Sequence, residues 1–333
     1  MTRRDVALLA GVSPAVVSYV LNNGPRPVST GARQRVLDAV KQLSYKPDGL
    51  ARSLRFGRTN TLGLVVPDTS NPFFGELAHA IEDAAFARDF AVLVCNSAGE
   101  SLRERAYISS LAERRVDGLI LVSISEEQDL SDMTNLSIPV VAMDRSPTRA
   151  PISTIRSDNE HAAALGTKHL LEHGHHRIGF VAGPGSGISD ERLQGWLSTL
   201  REAGVAKGPI ARAPFSFSGG FDAAVEVLCG VDKPTAILVS SDVQAIGLLS
   251  RLNSMHLKVP NDVAVVAIDG SEIGGYVVPT LTSVAQSTVR MAREAVRHLI
   301  DNPTERIHAL FENALIARES CGCLAPHRNG PGS

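Results

Sequence analysis

"AGVSPAVVSYVLNN", residues 10–23, decides how the rest of this chain is read. Gly11 permits a left-handed turn. Ser13 offers an N-cap oxygen, and Pro14 suits the first helical position, where a missing N–H costs nothing. Val16, Val17 and Val20 supply an apolar side. Upstream, Thr2 with Asp5 three residues later forms a capping box. Val6, Leu9 and Ala10 follow at helical spacing. Downstream, "NNGPRP" stops the helix, and Ser29 caps a third with Val36, Val40 and Leu43 on one face. "KPDG" ends the module. Two short helices joined across a glycine turn and followed by a third make a helix-turn-helix. A three-helix bundle with no DNA role has the same periodicity.

Charge favours the first reading. Residues 1–58 carry ten arginines and lysines against three aspartates, a net +7. The 333-residue chain totals −2, which leaves −9 for the remainder. A cationic head on an anionic body points to a polyanion bound by the head alone; a solvated basic face is the plain alternative. In a helix-turn-helix the second helix of the motif lies in the major groove. Small side chains let it approach closely. Pro14 and Ala15 suit thymine methyls, and Tyr19 offers an aromatic face and one hydroxyl. Phosphates fall to Arg, Lys, Ser and backbone N–H groups.

Other classes find little support. Four cysteines are too few for a disulfide framework. Cys321 and Cys323 lie too close together, with no nearby partner pair, for a standard zinc site. Reduced thiols then suggest a cytoplasmic protein. His173, His175 and His176 in "EHGHHR" read as a turn before a strand, so no metal is expected. No apolar run approaches the roughly 18 residues that span a bilayer. "MTRRDVALLAGVSPA" resembles a secretion signal only loosely, because Asp5 interrupts its basic head. "GPGSG", residues 183–187, lacks the Gly-Lys-Ser/Thr of a P-loop. No Ser-His-Asp or paired-carboxylate motif stands out, so neither an enzyme nor a cofactor is indicated.

From Thr61 onward, strand-like runs ("TLGLVVP", "FAVLVCN", "DGLILVS", "PVVAMD", "ISTIRSD", "RIGFVAG", "TAILVS", "VAVVAID") alternate with helical segments such as 74–88, 101–115, 159–173 and 242–255. Continuous β-branched runs between helices indicate an α/β architecture with parallel sheets. The strands exceed one comfortable sheet, so two doubly wound subdomains are expected, with a ligand site outside the carboxyl ends of the strands.

"RRDVALLAGVSPAVVSYVLNN…VSTGARQRVLDAVKQLSYKPDGLARSLRFGR" closely resembles the start of the LacI/GalR family of bacterial transcription regulators. The likeness continues through "VPDTSNPFF", "RRVDGLIL", "PVVAMDR", "HLLEHGHHRIGFVAGP", "ERLQGW", "VPNDVAVVAID" and "PTLTSV". It covers the chain to about Ser320. It implies four parts: an all-α helix-turn-helix head (1–46), a hinge (47–59), a two-subdomain sensor of periplasmic-binding-protein-like fold (60–320) and a disordered tail (321–333). By resemblance Pro14, Ala15 and Tyr19 read bases, while Thr2, Ser13, Ser18, Asn22 and Ser29 face the DNA backbone. Ala32 stands where many members have Thr. The hinge would place Ala51 and Arg52 on a short helix and wedge Leu54 between base steps in the minor groove. So short a helix is mostly unfolded alone, because nucleation is costly; a plain basic linker is the alternative.

The same likeness assigns Asn71, Phe73, Phe74, Asp144, Arg192, Phe215, Ser241 and Asp269 to a pocket for a small effector, a sugar or related metabolite. Ser241 replaces the Asn common in sugar-binding members, and His161 stands where Gly is frequent. Arg, Asp and aromatic faces form a sensible set for a polyol or purine-like ligand. Each residue also has a structural reading: Arg192 pairing with a carboxylate, Phe73 and Phe74 as core, Asp269 capping a turn. The implied function is a homodimeric repressor on a near-palindromic operator in double-stranded DNA, controlled by that effector and independent of membranes. Rivals are a nucleotide-using α/β enzyme and an exported solute-binding protein.

Overall fold

The computed structural model describes residues 1–21, 26–45, 58–123, 131–144, 151–184, 190–230 and 233–323. The chain divides into two units, Met1–Thr59 and Asn60–Ser333.

Among its described residues the first unit has three helices: α1 (Arg3–Ala10), α2 (Pro14–Leu21) and α3 (Thr30–Gln42). The capping box is closed. The Thr2 hydroxyl accepts from the Asp5 N–H at 3.4 Å, and Asp5 accepts from the Thr2 N–H at 2.7 Å. Gly11, at φ 62°, turns the chain, which bends by 102° between α1 and α2. Ser13 and Ser29 cap α2 and α3, each accepting a backbone N–H at 3.4 Å. Val6, Ala7, Ala10, Val17, Val20, Val36 and Ala39 form one small core. Leu9, expected on the buried face, is exposed, and Ala7 takes its place. Eight residues cannot fix a helix's rotation from periodicity; packing on α3 sets it. Arg35 Nε donates to the Ala10 carbonyl at 3.1 Å, which fastens α3 to the end of α1.

The second unit holds two six-stranded sheets. The first contains β1 (Thr61–Val66), β2 (Ala91–Asn96), β3 (Gly118–Ser123), β4 (Val140–Asp144), β5 (Ser153–Ser157) and β11 (His308–Phe311), in the order β11-β5-β4-β3-β1-β2. The second contains β6 (Ile178–Ala182), β7 (Ile210–Arg212), β8 (Ala236–Val239), β9 (Ala264–Asp269), β10 (Thr282–Ala285) and β12 (Ala314–Ile316), in the order β12-β10-β9-β8-β6-β7. Pairing is parallel throughout, except that β12 runs antiparallel to β10.

Helices cover both faces of each sheet. Side chains alternate along a strand, so one strand feeds two cores. In the first lobe, Leu62, Leu64 and Val66 face α4 (Pro72–Phe86) and α10 (Thr288–Asp301), while Val65 meets Ile108 and Leu111 of α5 (Ser101–Glu113). In the second, α6 (Asn159–Glu172) and α7 (Glu191–Glu202) pack with Phe180, Leu238 and Val266. Helices α8 (Phe217–Val227) and α9 (Asp242–Ser254) pack with Val181, Val239 and Val265. Burial on both faces explains why these strands read as continuous apolar runs. Edge strand β2 differs: Leu93 and Val94 are each 41% exposed. Among the described residues no single helix is long and apolar enough to cross a membrane.

The chain passes between the lobes at three places: after β5, between β10 and α10, and between β11 and β12. These crossings are stitched together. Ser157 Oγ donates to Asn313 Oδ1 at 2.7 Å, Asn313 Nδ2 donates to the Asp158 carbonyl at 2.7 Å, and Ser287 Oγ donates to the Glu312 carbonyl at 2.8 Å.

Two expectations need correction. Four strands, β7, β10, β11 and β12, escaped the sequence reading; each has only three or four residues, and β7, β11 and β12 sit at sheet edges. Residue 321, expected in a disordered tail, is ordered: Ser320 and Cys321 are buried in a short 3-10 turn. Ser320 accounts for this by donating to the Val265 carbonyl at 2.6 Å and accepting the Thr282 N–H at 2.8 Å.

Candidate functional site

The carboxyl ends of the parallel strands face each other across the cleft between the lobes. All eight residues assigned to the pocket line one small cavity there. Asn71 caps α4, accepting the Phe73 N–H at 3.1 Å. That start to the helix sets Phe73 and Phe74 edge to face, with ring centroids 5.2 Å apart. Asp144 ends β4 and Asp269 ends β9, the corresponding strand ends of the two lobes. Both adopt left-handed backbone, at φ 66° and φ 131°. Aspartate tolerates the first; the second is a strained conformation of the kind that collects at functional sites. Gly183 follows β6 and leaves room for the Phe215 ring, which an added Cβ would strike.

Arg192 is the centre of the polar network. Asp190 caps α7 and accepts the Arg192 N–H at 3.2 Å, directing the side chain inward. Its guanidinium is almost wholly enclosed, at 3% exposure. It donates to Asn159 Oδ1 at 2.7 Å, to Asp269 Oδ1 at 3.3 Å and to the Ser240 carbonyl. Asp269 also accepts from Gln286 Nε2 at 3.0 Å and from the Asp242 N–H at 3.3 Å. Burial drives the Asp269 carboxyl up to about 7 against the pull of Arg192, and the charges of Asp242 and Asp144 add to the rise. Asp242 is raised to about 6 by burial, although Ser283 Oγ donates to it at 2.5 Å and the Ser271 N–H at 2.6 Å. The sequence reading missed Asn159 and Gln286. Both lie at the crossings between lobes, where no local periodicity marks them. Each keeps a buried polar atom, Asn159 Nδ2 and Gln286 Oε1, that has no partner among the described residues.

Two contacts bridge the lobes near the cavity. Arg156 of β5 forms an ion pair with Glu191 of α7. Glu76 of α4 accepts the Glu272 N–H at 2.8 Å; burial raises the Glu76 carboxyl above its ordinary range. Ser241 has structural work as well. It caps α9, accepting the Gln244 N–H and donating to Gln244 Oε1 at 2.9 Å. Gln244 Nε2 in turn binds the carbonyls of Ala182, Ala213 and Pro214, tying α9 to the ends of β6 and β7.

In the first unit, Pro14 and Ala15 stand exposed at the start of α2, and Tyr19 is half-buried. Thr2, Ser13 and Ser29 are exposed around them. Ser18, expected at a phosphate, is buried. Asn22, Ala51, Arg52 and Leu54 lie outside the described residues, as does most of the expected hinge.

Comparison with known proteins agrees with this arrangement. The family described as "Bacterial regulatory proteins, lacI family" matches residues 2–48, and "Periplasmic binding protein-like domain" matches residues 167–321. The "HTH-type transcriptional repressor PurR" of Aliivibrio salmonicida is 34% identical over 312 residues, covering 92% of this chain and 93% of that protein. The "Ribose operon repressor" of Escherichia coli is 33% identical over 309 residues, covering 91% and 93%. Among solved structures, the lac repressor dimer bound to operator and the anti-inducer ONPF is 26% identical, with a TM-score of 0.87 over 96% of this chain and 99% of that one. The CelR–cellobiose complex is 31% identical, with a TM-score of 0.71 over the same shares.

Proposed function

The chain belongs to the LacI family of bacterial regulatory proteins, and from that premise we propose how its residues divide the work. It is a homodimeric, DNA-binding repressor controlled by a small effector, and not an enzyme. Residues 1–46 read the operator, 47–59 serve as hinge and residues from 60 onward sense the effector. The protein works beside its operator, in the cytoplasm.

At the DNA, Pro14, Ala15 and Tyr19 contact base edges while Thr2, Ser13 and Ser29 hold phosphates, with Ser18 and Asn22 beside them. Ala51, Arg52 and Leu54 enter the minor groove. In the sensor, Arg192 and Asp269 bind a hydroxyl-rich ligand, a sugar or related polyol, from opposite sides. Asn71, Asp144 and Ser241 line its edge, and Phe73, Phe74 and Phe215 supply apolar area. The edge strand β2, with Leu93 and Val94 exposed, belongs to the dimer face, because a bare apolar edge otherwise invites unwanted pairing.

One observation carries this reading. Arg192 and Asp269 are hydrogen-bonded to Asn159 and Gln286, residues of two of the three crossings between lobes. A ligand that replaces or reinforces those bonds changes the preferred angle of the lobes. Only a difference in affinity between the two angles can drive the switch. The test is selection of bound DNA fragments by the full-length protein, repeated with a panel of sugars, polyols, nucleosides and small acids. Enrichment of one near-palindromic site, with occupancy altered by a hydroxyl-rich compound, is the expected result. No enrichment over random competitor at moderate salt would refute it.

A further inference from the structure

Far from the cleft along α6, the fold assembles four side chains that the sequence keeps apart. His169 of α6 and His173, the residue that caps its C-terminus, lie about one helical turn apart. Cys321 and Cys323 come from the segment after β12, about 150 residues later. Cys321 Sγ is 3.1 Å from His169 Nε2; Cys323 Sγ is 3.7 Å from His169 Nε2 and 3.4 Å from His173 Nε2. All four donor atoms fall within 4.8 Å of one another. A tetrahedral zinc with Zn–S near 2.3 Å and Zn–N near 2.0–2.1 Å requires donors roughly 3.3–3.8 Å apart. The three sulfur–nitrogen distances lie in or close to that range.

We propose that His169, His173, Cys321 and Cys323 form a structural zinc site. The backbone is built for it. Gly322 sits between the cysteines at φ 97°, a conformation open to glycine, and lets both sulfurs turn toward α6. The surroundings fit a thiolate. Thr282 Oγ1 accepts the Arg318 N–H at 2.8 Å, so its own proton is free to donate to Cys321 Sγ, 3.0 Å away. Such outer hydrogen bonds orient and tune metal ligands. Cys321 and Cys323 bind as thiolates, releasing two protons, so zinc and its ligands are neutral together. Four protein donors leave no open position, which marks the site as structural. Its effect is to clip the segment that follows β12 to α6, the helix whose first residue, Asn159, holds Arg192. Sequence spacing argued against zinc only because the histidine pair and the cysteine pair sit at opposite ends of the sensor.

The test uses the full chain, reduced and stripped of metal under anaerobic conditions, then titrated with Co²⁺ and afterwards with Zn²⁺. Expected are thiolate-to-cobalt charge-transfer and tetrahedral d–d absorption saturating at about one equivalent per chain, bleached by zinc. Zinc should also shield both thiols from alkylation and raise the unfolding temperature. His173→Ala and Cys323→Ser, at the exposed side of the cluster, should lose all three signals while the protein stays folded. Thr282→Val should weaken zinc binding about 10–100-fold. If a variant fails to fold, thiol shielding in the wild type still decides. Cobalt spectra without thiolate charge transfer overturn the proposal, as do equal zinc uptake by wild type and both variants or alkylation rates indifferent to zinc.

Discussion

Replacing Arg192 with Met tests the polar centre of the sensor, because its cost must depend on pH in a defined way. At about pH 5 the Asp269 carboxyl, raised by burial to about 7, holds its proton. Arg192→Met then removes the donor to Asn159 Oδ1 and to the Ser240 carbonyl, but leaves no bare charge behind. Unpairing each of those acceptors costs about 1–3 kcal/mol. At about pH 8 the wild-type carboxylate is ionised against Arg192. In the variant Asp269 has lost that cation, so it either stays charged and buried or takes up a proton from solvent. Each pH unit above 7 adds about 1.4 kcal/mol to that cost, so the penalty must grow between pH 7 and pH 8, in the direction expected for breaking a buried pair. Urea unfolding across that pH range measures it, read by fluorescence of the sole tryptophan. Trp196 is fully buried, stacks on Phe180 with centroids 5.3 Å apart, and lies one turn along α7 from Arg192. The same substitution in an Asp269→Asn background should cost an amount that no longer varies with pH. A penalty flat from pH 5 to pH 8 when Asp269 is present, or equally steep when it has been replaced, would show that the pair is not the source. An unaltered effector response would separately remove Arg192 from ligand binding.

Other outcomes follow from the same geometry. Asp269→Asn alone should change how stability varies with pH: a carboxyl raised on folding contributes stability that is full below about pH 4 and lost as pH rises through about 7. Relative to the variant, the wild type should therefore decline across that window by up to about 1.4 kcal/mol per pH unit; parallel curves from urea titrations would contradict the raised carboxyl. Gly183→Ala pushes a Cβ into the Phe215 ring, so effector affinity measured by calorimetry should fall by about 1–3 kcal/mol, with operator binding in the absence of effector kept. Unchanged affinity would clear Phe215 of ligand contact. Tyr19→Ala should relax base preference at one operator position by about 1–3 kcal/mol; an unaltered selection logo would reject that role.

The order of elements was legible because the strongest local signals coincide with it. Thr2–Asp5, Gly11, Ser13–Pro14 and Ser29 punctuate the head as their chemistry dictates. The eight strands legible in the sequence announced themselves because most have both faces buried. The pocket residues were reached through family resemblance, since nothing in their spacing brings residues 71, 144, 192 and 269 together. Four strands stayed hidden: β7, β11 and β12 lie at sheet edges, where burial is too slight to demand apolar side chains, and β10, "TSVA", lacks the apolar run that marks four-residue β8, "AILV".

By itself, then, the chain's order of caps, glycines and apolar runs determined the helical head, the alternation of strand and helix, and the split of charge between head and body. These follow from interactions a few residues long. Only the tertiary structure decided that the chain crosses between its lobes three times, that Asn159 and Gln286 hold Arg192 and Asp269, and that a histidine pair at the C-terminal end of α6 meets a cysteine pair about 150 residues away. Those arrangements depend on sheet order and helix packing, which sum over the whole core and leave no trace in any short window of sequence.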